Sequence, residues 1–315
     1  MTIDLAKLRT ALPALVLVGL VALIGAWDHS FFALNNILTI GGDTMTLFLM
    51  ASGVTLVIIT GGIDLSIQAV ASMSSCILAA FLPRWGYLTL PAALLGGLIA
   101  GWSGGMATTR LRIPSFIATL AVSGIVTSAG YWFSGTRSIN ISGEVSQRYL
   151  FWTVGDFLGV PREIWVGLVC LAALTALLDF TAFGRIVRAI GSQERAAIAA
   201  GLDVDRVKVM AFTLSGVMAA LAGIVMAARL GSGSPTLANE FLLPAIASII
   251  VGGTAITGGV GSVWRTFLGA LIVEVVRIGM TFVGVSVFTQ QIVFGFILVG
   301  AVAVTMDREK VSVIK

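Results

Sequence analysis

The stretch VTLVIITGGIDLSIQAVASM, residues 54–73, is apolar almost throughout, yet Gly61, Gly62 and Asp64 interrupt its middle. An ionised aspartate at the centre of a bilayer costs roughly 3 kcal/mol on insertion scales. The carboxylate therefore belongs at a surface, in a cavity or beside a partner. The rest of the chain decides among these.

The chain has 315 residues, of which 57% are hydrophobic and 11% charged, with a mean hydropathy of +1.03. Soluble domains carry roughly 25% charged residues. The composition predicts an all-α, polytopic membrane protein, one membrane-embedded domain over 1–315 in contact with lipid. A net charge of +4 is spread over short connections and forms no dense stripe, so nucleic acid is not an expected partner. The start, MTIDLAKLRTALPALVLVGLVALIGAW, has a basic region diluted by Asp4 and no small-x-small cleavage site before Trp27. It is read as a retained first helix. Cys76 and Cys170 lie in apolar runs without ligand partners, and His29, the single histidine, comes after the first run. No metal site and no catalytic residue are expected.

Runs long enough to cross roughly 30 Å of hydrocarbon fall at 11–26, 44–60, 64–82, 88–109, 115–134, 164–180, 209–230, 241–260, 263–283 and 286–306. Ten crossings are thus predicted. The positive-inside rule places Lys7 and Arg9 in the cytoplasm together with the most basic loop, 181–208. An even number of crossings must separate them, so the GGID break is a turn near the cytoplasmic side. Thirteen Lys and Arg residues then lie inside and five outside, with Arg277 within a span. Both termini are expected in the cytoplasm, and the longest outer loop is 135–162.

At the break, the glycines suit a helix end, and Asp64 suits the cap of the next helix, where free N–H groups and the dipole favour a carboxylate. The alternative is a place in a translocation path, since interrupted membrane helices expose backbone to cavities. Ser66 and Gln68 stand on the same stretch. A second glycine cluster, SIIVGGTAITGGVGS at 248–262, holds Gly252, Gly253, Thr254, Gly258 and Gly259. It permits a break, a re-entrant turn or close helix packing. The Walker spacing is absent from the chain, so no nucleotide site is expected here.

The segment FGRIVRAIGSQERAAIAAGLDVDRVKV, 183–209, predicts a short helix over 192–201. Ser192 would cap its start, Gln193, Glu194 and Arg195 would form its first turn, and Gly201 would end it. Ala196, Ala197 and Ala200 would present a small-residue face.

Four blocks taken together resemble a known family: GGIDLSIQAVASM, RIPSFIATLAVSG at 112–124, the 183–209 segment, and AIASIIVGGTAITGGVGSVWRTFLGALI at 245–272. Their order and spacing are similar to the ribose-type permease subunits of bacterial ABC sugar importers, from about residue 44 to the C-terminus. The resemblance implies a multi-pass inner-membrane permease, not an enzyme. It implies a periplasmic sugar-binding protein and a second permease chain, identical or homologous, as partners. A cytoplasmic ATPase with two nucleotide-binding domains would bind the ATP and magnesium, leaving this chain without a cofactor. It also makes 192–201 the ATPase-coupling helix. The chain departs from the pattern at Ile67 and Gln68, and at Glu274 and Arg277. The last two stand i, i+3 on a helix and suit either an ion pair within the bilayer or a contact to substrate or to a non-identical second permease.

An ion-coupled secondary transporter is the alternative function. It would need an ion site, and the intramembrane acids reduce to Asp64 and Glu274. Which sugar or polyol is carried is not written in the chain.

Overall fold

A computed structural model describes residues 5–305. Arg308, Lys310 and Lys315, three of the residues used for the C-terminal topology, lie outside the described residues, as do the side chains of Lys7 and Arg9. The chain is a bundle of helices: α1 Leu5–Trp27, α2 Leu34–Ile59, α3 Ile67–Trp85, α4 Thr89–Thr109, α5 Ser115–Ser134, the short α6 Gly143–Tyr149, α7 Arg162–Phe180, α8 Ala182–Ser192, α9 Glu194–Ala199, α10 Val204–Leu230, α11 Leu242–Val251, α12 Val263–Phe282 and α13 Val287–Thr305. Five helical stretches, 34–59, 67–109, 115–134, 162–180 and 204–230, are long and apolar enough to cross a membrane. The 67–109 stretch is α3 and α4 folded back on each other at 86–88, with the Ser74 hydroxyl donating to the Ala93 carbonyl.

α2 is the axis. Every residue from Thr44 to Thr60 is buried, because α10 packs on one side and α7, α11 and α12 on the other. Thr55 of α2 and Thr266 of α12 share a hydroxyl hydrogen bond of 2.8 Å. Beyond α10 lie α3 and α4, then α5, and α1 packs against α12. With apolar lipid around it, such a bundle is held by close packing and not by the hydrophobic effect. The α4–α10 crossing has that character: a Cβ on Gly97, Gly101 or Gly105 would fall 2.4, 2.2 and 2.9 Å from backbone atoms of Gly216, Phe212 and Val209. The G-x-x-x-G-x-x-x-G spacing of 97, 101 and 105 puts all three on one helix face.

The predicted span 241–260 is not one helix. α11 has ten residues, about 15 Å of rise against a core of roughly 30 Å. The missing half is supplied by the stretch 231–241, GSGSPTLANEF, irregular as far as Ala238 and a single 3-10 turn over Asn239–Phe241. Ser232 and Gly233 pair as strand β4 with β1, Ile139–Asn140, of the 135–162 loop. The chain then runs down α3. The Ser234 N–H donates to the Ser75 hydroxyl at 3.2 Å, that hydroxyl donates to the Ser234 carbonyl at 3.1 Å, and the Ala238 N–H donates to the Ser72 hydroxyl at 3.0 Å. Serine hydroxyls on α3 thus replace the bonds that a helix would have made for itself, as non-helical backbone at membrane depth requires. Glycine, serine and proline at its start explain why no α-helix forms over 231–238.

In the 135–162 loop, α6 is capped by Ser142, and strands β2, Asp156–Phe157, and β3, Val160–Pro161, form a two-residue hairpin. The loop is tied to α3 and α4 by the Tyr87 hydroxyl, which donates to the Arg148 carbonyl at 2.9 Å. His29 is exposed in a single turn after α1. Cys76 is buried and Cys170 half-buried, and both are free thiols.

Candidate functional site

Asp64 is fully buried between α2 and α3, and it is not the cap of α3. The helix begins at Ile67 with Ser66 as the preceding residue. The Asp64 carboxylate accepts from the Ser66 N–H at 2.9 Å and the Ser66 hydroxyl at 2.6 Å, and its other oxygen accepts from the Ser215 hydroxyl of α10 at 2.7 Å. It closes an Asx turn ahead of the helix and ties that turn to α10. Capping fails because two further residues separate the carboxylate from the first helical turn. Gly61 takes a φ of +84°, a left-handed conformation open to glycine. Gln68 is half-buried in the first turn of α3.

The two glycine clusters meet. The Gly259 N–H donates to the Ile59 carbonyl at 2.9 Å, joining the loop after α11 to the end of α2. A Cβ on Gly191 of α8 would lie 1.8 Å from that same carbonyl and 2.3 Å from the Gly259 nitrogen, while one on Gly258 would lie 3.0 Å from the Gly61 nitrogen. Gly252 is pressed on the Arg265 carbonyl, with 2.4 Å available to a Cβ. Gly253, Gly258 and Gly259 all take positive φ. Thr254 is buried, with its hydroxyl unpartnered among the described residues. The end of α2, the end of α8 and the loop after α11 thus touch one another.

The helix expected over 192–201 is two helices. Ser192 is the last residue of α8, and its hydroxyl donates to the Arg188 carbonyl at 2.9 Å, so it cannot cap α9. Gln193 is extended, and α9 covers only Glu194–Ala199. Gly201, at a φ of +78°, terminates this unit. Glu194 pairs with Lys208 at 2.7 Å, and Asp203 caps α10 through the Arg206 N–H. Ala197 is buried, and so it does not belong to the outer face. Arg195, Ala196, Ile198, Ala199 and Ala200 are exposed. α9 points one side inward because six residues cannot stand without packing.

Glu274 and Arg277 contact each other, but within a larger network. Arg277 also meets Asp43 at 3.2 Å, and Arg229 bridges Asp43 at 2.7 Å and Glu163 at 3.3 Å. Three acids and two arginines from α2, α7, α10 and α12 therefore interlock, with Phe241 under the Arg277 guanidinium. Gly42 makes the room, since its Cβ would fall 2.1 Å from the Glu163 carboxylate. Mutual dependence of Glu274 and Arg277 is correspondingly reduced, because Arg277 keeps Asp43 if Glu274 is lost. The apolar run that predicts this span starts at 44 and so omits Asp43, whereas α2 begins at Leu34. An acid nine residues into a long apolar helix is the signal that could have found it.

A helical bundle with five stretches long and apolar enough to cross a membrane is the architecture of an integral membrane protein. Residues 36–302 match the family described as branched-chain amino acid transport system / permease component, and the chain belongs to that family. It is 33% identical over 300 residues to the ribose import permease protein RbsC of Escherichia coli K12, covering 94% of this chain and 92% of the relative. It is 35% identical over 301 residues to the ribose import permease protein RbsC of Bacillus subtilis, with 95% and 92% covered. To the fructose import permease protein FrcC of Rhizobium meliloti it is 30% identical over 311 residues, with 96% and 86% covered. A solved chain described as an inward-facing conformation of a transporter assigned to the metal-chelate ABC type shares the fold, with a TM-score of 0.53, 16% identity, and coverage of 95% and 100%.

Proposed function

We propose that the chain is the membrane-spanning subunit of an ATP-driven, binding-protein-dependent importer that carries a monosaccharide or related polyol across the bacterial inner membrane. The observation that carries the transport route is the stretch 231–241, which interrupts the α-helical crossing. Thr236, Asn239 and Glu240 are exposed there, and polar backbone and side chains at membrane depth belong beside water or a partner chain. The names of the sugar-import relatives support the substrate class. Counting 231–251 as one discontinuous crossing keeps ten crossings, and with them cytoplasmic termini and a cytoplasmic α8–α9 unit.

α9 and its exposed alanines then face the ATPase. The Gly191–Gly259–Ile59 junction carries a push from the ATPase to the ends of α2 and α11, because atoms in direct contact leave no slack. Two copies of the permease, or this chain and a homologue, complete the route, and a periplasmic binding protein delivers the sugar to its outer face.

The test is uptake by cells that make the permease with its ATPase and binding protein. Ribose, fructose or arabinose uptake should persist when the proton gradient is collapsed and stop when ATP is depleted. The reverse pattern would establish the ion-coupled alternative.

A further inference from the structure

Beneath the charged network lies a cavity of about 250 Å³, walled by Asp43, Glu240, Phe241, Glu274, Arg277, Thr281 and the two α13 glutamines Gln290 and Gln291. It sits where the 3-10 turn Asn239–Phe241 leads into α11, against the C-terminal turns of α12. Its polar wall is incompletely paired. Glu274 is 1% exposed and its Oε2 atom has no hydrogen-bond partner among the described residues, and neither has the Arg277 Nε–H. Gln290 is 4% exposed and spends its amide N–H on Thr281. A buried acceptor or donor left unmade costs about 1–3 kcal/mol, more when charged.

We propose that this cavity binds one neutral, monosaccharide-sized polyol, donating a hydroxyl to Glu274 and accepting from Arg277. The chemistry selects against other guests. A cation would meet Arg277, an anion would meet Asp43 and Glu274, and an apolar molecule would leave the carboxylate and guanidinium unpaired. Adjacent hydroxyls on a sugar ring supply a donor and an acceptor side by side, matching the carboxylate and guanidinium that adjoin in the wall. A cavity of about 250 Å³ has room for a guest the size of one sugar ring. The proposal rests on the importer reading for its substrate class, but the site stands or falls by a separate measurement.

Thr281 is exposed at the cavity wall, so Thr281→Cys in the full chain, in native membrane vesicles, takes a charged methanethiosulfonate reagent. The unsubstituted chain, whose Cys76 is buried and Cys170 half-buried, gives the background. D-ribose, D-fructose or L-arabinose should slow modification severalfold, while lactose, sodium ion and putrescine should not. Adding Glu274→Gln should raise the half-protecting sugar concentration roughly tenfold, the loss of one hydrogen bond to a charged group. Gln290→Leu, outside the ion network, should weaken protection as well and serves if Glu274→Gln does not fold. Failure of all three sugars to protect, equal protection by sodium, putrescine or lactose, or a half-protecting concentration unmoved by the variants overturns the site. ATP-dependent sugar uptake with no protection removes the site and keeps the importer. Protection without ATP-dependent uptake by the complete transporter keeps the site and removes the importer.

Discussion

Asp64 shows how one residue type in one pattern supports two different accounts. A carboxylate after two glycines and before an apolar run has the sequence of a cap, yet here it serves three hydroxyl and N–H donors, one of them from α10, 151 residues away. Asp64→Asn keeps an acceptor for Ser66, and the Ser215 hydroxyl can turn to accept from the amide, so folding and transport should largely survive. Asp64→Leu strands all three donors, at about 1–3 kcal/mol each. Thermal unfolding of the purified permease should separate the two variants widely. Equal loss in both would show that the charge itself is required. The break at Gly61 is legible from local chemistry. The Ser215 partner is not, because nothing local marks a serine that far along the chain as a neighbour.

At the scale of elements, helix existence is readable and helix meeting points are not. The apolar runs locate α3, α4, α5, α7 and α12 within a few residues. The α11 span misleads because an apolar run looks the same whether it is one helix or half of one, and the deciding signal is GSGSP just before it. The 97-101-105 glycine spacing stands in the sequence, but the helix it meets does not. It yields a sharp test. Gly101→Leu must drive α4 from the Phe212 carbonyl, since even its Cβ would lie at 2.2 Å. It should lower stability by about 3 kcal/mol or more, seen as a fall in Tm in detergent. Gly124→Leu on α5, where nothing lies within 4 Å, should change Tm little. Similar losses at both sites would mean that helix propensity, not packing, controls these positions.

At the scale of the whole molecule three backbone breaks touch one another, a relation that separate motifs cannot disclose. The proposed ATPase contact at α9 has two sides, and they make different predictions. Ala200→Trp adds an indole to an exposed position, so the permease should fold with an unchanged Tm while ATPase co-purification and sugar uptake both fall. Ala197→Trp instead forces an indole into the core, where overpacking costs typically about 1–3 kcal/mol, and should fail first in folding. Undiminished ATPase recruitment by the Ala200 variant would remove α9 from the coupling surface.

The central position of α2 sets a problem of timing during synthesis. Its wrapping helices α7, α10, α11 and α12 all leave the ribosome after it, so the helix that ends with no lipid contact from Thr44 onward must begin in lipid. Three of its hydroxyls are suited to the wait: Thr46, Ser52 and Thr55 each donate to a carbonyl of their own helix, those of Gly42, Leu49 and Ala51. Asp43 is not so provided, for its nearer cation, Arg229, stands at the far end of α10. Emergence of the last turn of α10 is therefore the moment at which α2 can leave the lipid with its charge answered, and a nascent chain stopped before Arg229 should hold α2 in a state that quality-control proteases recognise.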